Sequence, residues 1–363
     1  MDLYIIGIIV AFGAGCFAAA IGAVGAVTLT GLAAMIALLV APGGGNGHVD
    51  FLGIYAFGLY LGPHVSFGPA CAAASYAGRR GYTVKDGKDI LTPLIGTGHV
   101  SPIIVGGAFG VVGFLLQKGL ALVIPQFDTV ACTVVLVCLM GKLFGSKGFG
   151  ELLGTVSAEV KAAGGRYSRH SPVLWLPWQS KGPILTTIGI AMGALASWAA
   201  WEMLQIPGMA GLAIIPGWAI GVVCFFFFAM GLKIPVTHHT CMVAGLATVA
   251  AYAVNPSPLA MLWGIAFGIV GNYGAEWLSR TWTIHGHGFV DPPASVIFFS
   301  TVLVWILKQF NAFQDQFIIP SIIILAGIAY ALYVALKDKD LVEDEQSVME
   351  EQGLDKIEPQ PIS

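Results

Sequence analysis

"LYIIGIIVAFGAGCFAAAIG", residues 3–22, carries no charged side chain. A helix of that length rises about 30 Å, the thickness of a bilayer's hydrocarbon core. Comparable apolar runs follow near 25–41, 52–77, 101–117, 129–145, 184–204, 209–231, 236–254, 259–278, 294–308 and 316–336. The 363-residue chain is 56% hydrophobic and 10% charged, against about 25% charged for an ordinary soluble domain. Alternating ten-residue strands of the barrel type are absent. The predicted class is all-α: a polytopic integral membrane protein of about eleven transmembrane helices in a lipid bilayer. No basic n-region precedes the first run, which reads as a spanning helix rather than a signal peptide.

Charge sets the expected orientation. "GRRGYTVKDGKD" (78–89) holds Arg79, Arg80, Lys85 and Lys88, and the connection 146–183 holds Lys147, Lys161, Arg166, Arg169 and Lys181. Together they hold nine of the 17 Lys and Arg residues. Basic loops stay cytoplasmic, so the N-terminus is expected outside a plasma membrane and the C-terminus inside. The loops 41–50 and 254–258 have no Lys or Arg, as outside loops should. The acidic segment 337–363 reads as a disordered cytoplasmic tail.

An internal repeat is expected. "GAGCF" (13–17) matches "GVVCF" (221–225), and "GLAAMIALLVAP" (31–42) matches "GLATVAAYAVNP" (245–256). "YAFGLYLG" (55–62) matches "IAFGIVG" (265–271). The predicted organisation is a first transmembrane repeat over 1–145 and an amphipathic cytoplasmic connection over 146–183. A linking helix over 184–208 and a second repeat over 209–336 follow. The two five-helix repeats run parallel, with broken helices around Gly62–Gly68 and Gly271–Gly274. In the connection, Leu152, Leu153, Val156 and Val160 form one helical stripe, which suits an interfacial helix or a docking face.

The six cysteines all sit inside apolar runs without metal-binding spacing. No phosphate-binding loop, dinucleotide fingerprint or nucleophile elbow occurs. The polar concentration lies in "GNYGAEWLSRTWTIHGHGFVD" (271–291). Ionisable groups at membrane depth default to function. A break behind Gly271–Gly274 would free carbonyls beside Asn272 and Glu276, an oxygen set that suits sodium. The bland alternative pairs Glu276 with Arg280 one turn on. In the first half, His64 and Ser66 stand at the corresponding break in "GLYLGPHVSFGPAC" (58–71). Thr28 and Thr237 offer hydroxyls, or satisfy their own helical carbonyls. His238 and His239 point about 100° apart and cannot share one ion from one helix face; one would line a pathway as a proton-sensitive group while the other packs. "DILTPLIGTGHVSPIIVGG" (89–107) would bring His99 and Thr97 to a cavity as a re-entrant segment, or be a simple loop.

"YGAE" (273–276), with "AGRRGYTVKDGKD" (77–89) running into "DILTPLIGTGHVSPI" (89–103), resembles the membrane subunits of the sodium-translocating methyl-tetrahydromethanopterin:coenzyme M methyltransferase. The resemblance covers two patches and, of that complex's C, D and E chains, is greatest to the E chain. Those subunits are shorter, separate chains, and their glycine-histidine-glycine does not fall at 286–288. The resemblance implies sodium passage, with Glu276 the carried-over acidic residue, coupled to methyl transfer by a cytosolic corrinoid-bearing or methyltransferase subunit. The residues themselves leave two other readings. One is a stand-alone sodium- or proton-coupled transporter of a small polar solute, and the other is an intramembrane enzyme using Glu276 and a histidine. A homo-oligomer is compatible with any of these; nucleic acid is not an expected partner.

Overall fold

The computed structural model describes residues 2–40, 50–82, 86–145 and 152–351. Among them all regular structure is helical. α1 (Asp2–Ile21) turns into α2 (Ala23–Val40) at Gly22, whose φ of +85° suits glycine. α3 (Phe67–Arg80), α4 (Val100–Val123) and α5 (Thr129–Gly145) follow. After the one-turn α6 (Ala158–Ala162) come α7 (Gly182–Gln205), α8 (Ile215–Val223), α9 (Phe225–Ala229) and α10 (His238–Val254). α11 (Ala260–Trp282), α12 (Pro292–Gln309) and α13 (Ile318–Glu351) complete the chain. Among the described residues, seven segments are long and apolar enough to cross a membrane: α1, α2, α4, α7, the α8–α9 run, α12 and α13 as far as Lys337. That fits a multi-pass membrane protein. α13 turns Ile318, Ile322, Leu325, Leu332 and Leu336 outward, a coat that suits lipid rather than water.

α3, α10 and α11 behave differently. They are rich in Ala, Gly and hydroxyl residues and are buried on most sides. α1 packs on α4 as α7 packs on α11, and α3 on α4 as α10 on α11. α2 crosses to α8, and α5 to α12. As α5 runs from Asp128 to Lys142, its partners fall from Thr301 to His285, so α5 and α12 are antiparallel.

Four expectations need correction. α11 is unbroken through Gly271–Gly274. Its glycines serve close approach instead: a Cβ at Gly268 would collide with the Gly189 carbonyl oxygen of α7. The break before α3 is present, with turns over 57–66, and the irregular segment in the second half is 230–237 before α10, not 271–274. The amphipathic helix expected over 150–163 is reduced to α6, started by Ser157 Oγ accepting from the Val160 N–H. The predicted disordered tail stays helical through Glu351, since Lys, Glu and Gln are good helix formers. Lys85, Lys147, the loop 41–49 and the tail from 352 lie outside the described residues.

Candidate functional site

A cavity of about 450 Å³ lies between these packed sets of helices. α5 contributes Ala131 and Val134 to one wall, with Asp128 just ahead of them, and α12 contributes Ala294 and Ile297 to another, with Asp291 just ahead. Each aspartate starts its helix. Asp128 Oδ1 accepts from the Ala131 N–H at 2.8 Å, and Asp291 Oδ2 accepts from the Ala294 N–H at 2.6 Å. The Val130 N–H also reaches the Asp128 carboxylate, whereas the other oxygen of Asp291 receives no hydrogen bond from the described residues. α3 and α10 begin at the cavity as well, placing Phe67 and His238 in its lining. His238 is buried and its Nδ1 has no partner. The rest of the lining is largely apolar, with aromatic rings from Phe57, Trp175, Trp178, Trp218, Phe225 and Phe228 among it. Trp178 is locked by donating from Nε1 to the Ile234 carbonyl at 2.8 Å, and the Gln179 amide clamps the backbone of Val236.

At one end the cavity meets Asp86, Lys88, Asp89 and Thr283. Here the polar stretch 271–291 finds its explanation. The last turn of a helix leaves carbonyls without internal partners and carries partial negative charge. Three cations converge on the end of α11. Lys142, fully buried, donates to the carbonyls of Trp282 (2.5 Å) and His285 (3.0 Å). Lys88 donates to Gly286 (3.0 Å) and Ile284 (3.3 Å). Arg166 donates to Thr281 (2.9 Å) and Arg280 (3.2 Å). His287 Nε2 meets the Ser75 carbonyl at 2.7 Å. Within this joint, burial and then the charges of Arg166, Lys88, Lys142 and Arg280 lower the His285 pKa to about 4, so the imidazole stays neutral.

The residues expected at the site separate. Glu276 is paired with Arg280, through Oε1 to Nη2 at 2.6 Å and Nε at 2.8 Å, while Ser180 donates to Oε2 at 3.0 Å. The pair is buried, not a surface contact. Asn272 accepts from Thr240 Oγ1 at 2.5 Å and donates to the Leu185 carbonyl at 2.9 Å. Because α11 has no break, no freed carbonyls join them. Glu276, Asn272 and His239 line a separate small pocket, and both ring nitrogens of His239 lack partners. The adjacent histidines thus face different spaces. Thr28 Oγ1 donates to Val24 O at 2.7 Å in its own helix, and Ser66 Oγ to Leu61 and Gly62. His64 is buried outside the cavity lining, and Thr237 sits buried at the start of α10. His99 is exposed at the head of α4 with its ring stacked 3.8 Å from that of Tyr82, and does not reach the cavity; Leu94–Thr97 is a single 3₁₀ turn.

Among the expected site residues only His238 lines the main cavity. Asp128 and Asp291 carry a signal that was readable: "FDTVA" (127–131) and "VDPPA" (290–294) each put an aspartate just before an apolar helix. Among the described residues no three His, Cys, Asp or Glu side chains gather as a metal site. No curated protein and no solved structure matches the chain. Residues 2–322 match the family described as "Family of unknown function (DUF7973)", and the chain belongs to that family.

Proposed function

We propose that the protein is a membrane transporter whose solute path is the cavity, held between two five-helix units of opposite orientation. The observation that carries this reading is the matched wall. Asp128, Ala131 and Val134 repeat at the same spacing as Asp291, Ala294 and Ile297, with the same capping bond at each helix start. Helix packing supports the pairing of α1 with α7, α2 with α8–α9, α3 with α10, α4 with α11 and α5 with α12. Five crossings are an odd number, so the second unit begins on the side where the first one ended. The antiparallel contact of α5 and α12 fits that inversion. This pairing is shifted by one helix from the parallel repeats read in the sequence, and it leaves α13 as the unpaired helix.

On this reading α3, α5, α10 and α11 also cross, shielded from lipid by their neighbours, which brings the spans to about eleven. The basic connections 78–89 and 146–183 then lie in the cytoplasm, with the N-terminus outside and the C-terminus inside. Inverted units whose helices break near the bilayer midplane at a shared site are a recurrent transporter plan. His238 supplies the cavity with a group suited to proton coupling. The engagement of Glu276 by Arg280 and Ser180 favours this stand-alone reading over a sodium path coupled to a corrinoid-bearing partner, which rests on the resemblance.

The test is alternating access. In a background without native cysteines, Ala131→Cys and Ala294→Cys are exposed to an impermeant thiol reagent from each face of sealed vesicles. Labelling of both positions from both faces is expected. Labelling confined to one face at both positions would rule out a through path.

A further inference from the structure

The cavity's chemistry points to a class of solute. Its wall is apolar and includes eight Trp and Phe side chains, and among the described residues its acidic groups outnumber its basic ones. Among the described residues the one lysine in the lining, Lys88, is engaged by the Asp86 carboxylate at 3.0 Å and by the carbonyls of Ile284 and Gly286. Asp89 is satisfied by the N–H groups of Leu91 and Thr92 and by the Thr92 hydroxyl. Two polar groups keep spare capacity: one oxygen of Asp291 and Nδ1 of His238. Each is an acceptor as it stands, or becomes one in the neutral imidazole tautomer. A buried carboxylate without a full set of partners is costly unless something positive answers it. Aromatic faces attract a cation whose hydration shell is weak. An anion would meet an uncompensated carboxylate, and a purely apolar solute would leave it unanswered.

We infer that the solute is a small organic cation, an alkylated ammonium, seated among the cavity's aromatic rings with Asp291 as its counter-charge. This assignment rests on the transport reading, and it names that path's cargo.

The probe is choline, compared with its uncharged analogue in which carbon replaces nitrogen. Binding is followed by tryptophan fluorescence and calorimetry on the purified full-length protein in nanodiscs. Choline should bind at least about tenfold more tightly than the analogue. Asn caps a helix as well as Asp does, so Asp291→Asn should keep the fold, checked by thermal melting, while removing the counter-charge. That variant should lose about tenfold or more in choline affinity and leave the analogue unchanged. Ala294→Trp, which fills the cavity, should abolish binding of choline. Equal affinity for the two compounds, no binding of either, or choline binding unchanged in Asp291→Asn would overturn the cation assignment. If access at positions 131 and 294 still alternates in that event, the path stands and only its cargo is wrong. If access fails as well, both fall.

Discussion

Two turns occupy matching posts in the molecule, 124–128 before α5 and 283–291 before α12. Both end on an aspartate that caps the next helix and faces the cavity. They differ in fastening. The turn before α5 is tied across the molecule by the Asp128 N–H donating to Thr301 Oγ1 at 3.2 Å. The turn before α12 is held by Lys142, Lys88 and Arg166, and His287 reaches back to Ser75. The polarity concentrated at 271–291 therefore goes largely into closing a helix end, with Trp282 Nε1 and His285 Nε2 left without partners. Of the buried side-chain atoms left without partners, His238 Nδ1 faces the cavity. Density of polar residues marks the joint, and unmet hydrogen-bonding capacity in the cavity wall marks the site.

The contrast between the turns gives a graded set of expected outcomes. Breaking a buried ion pair by removing one partner costs about 3–5 kcal/mol, so Glu276→Leu and Arg280→Leu should each melt far below the wild type in detergent. The double variant should lose less than the two single losses added, because the cost is the stranded partner. Additive losses would mean the pair is not coupled. Lys142→Met strands two buried carbonyls, at about 1–3 kcal/mol each, and should destabilise by about 2–4 kcal/mol. Thr301→Val at the looser turn removes one bond and should cost about 1 kcal/mol or less. A Thr301→Val loss as large as that of Lys142→Met would erase the contrast between the turns. The smallest expected effect is a pH slope. An unfolded histidine takes up its proton near the ordinary 6.5, whereas His285 does so near 4. Stability should therefore fall as pH drops from 6.5 towards 4, and His285→Asn should make that slope shallower.

The membrane class was legible because uninterrupted apolar runs of this length have little place outside a bilayer. The break before α3 was legible from Gly62, Pro63, Gly68 and Pro69. The expected break at Gly271–Gly274 fails because glycine has two uses in such helices, bending and close packing, and sequence spacing does not separate them. Only the neighbour decides: α7 lies so close that Gly268 has no room for a side chain. Glu276 and Asn272 stand out by residue type, yet their partners Arg280, Ser180, Thr240 and Leu185 come from different segments that the fold brings together. The divergence of His238 and His239 was legible, since helical spacing alone forces the two rings apart. Asp128 and Asp291 do not stand out in the sequence because a capping aspartate is common, and their shared cavity exists only once α5 and α12 are packed.

The opposite orientation of the two units is open to one decisive measurement. Ile95, in the connection between α3 and α4, and Asn255, between α10 and α11, are both exposed and hold corresponding places in the two units. In a cysteine-free background, Ile95→Cys and Asn255→Cys are each labelled with an impermeant reagent on intact cells and on inverted vesicles. Inverted units predict that position 255 is labelled on cells and position 95 on inverted vesicles. Labelling of both positions from the same face would contradict the inversion, and with it the matched walls on which the transport path depends.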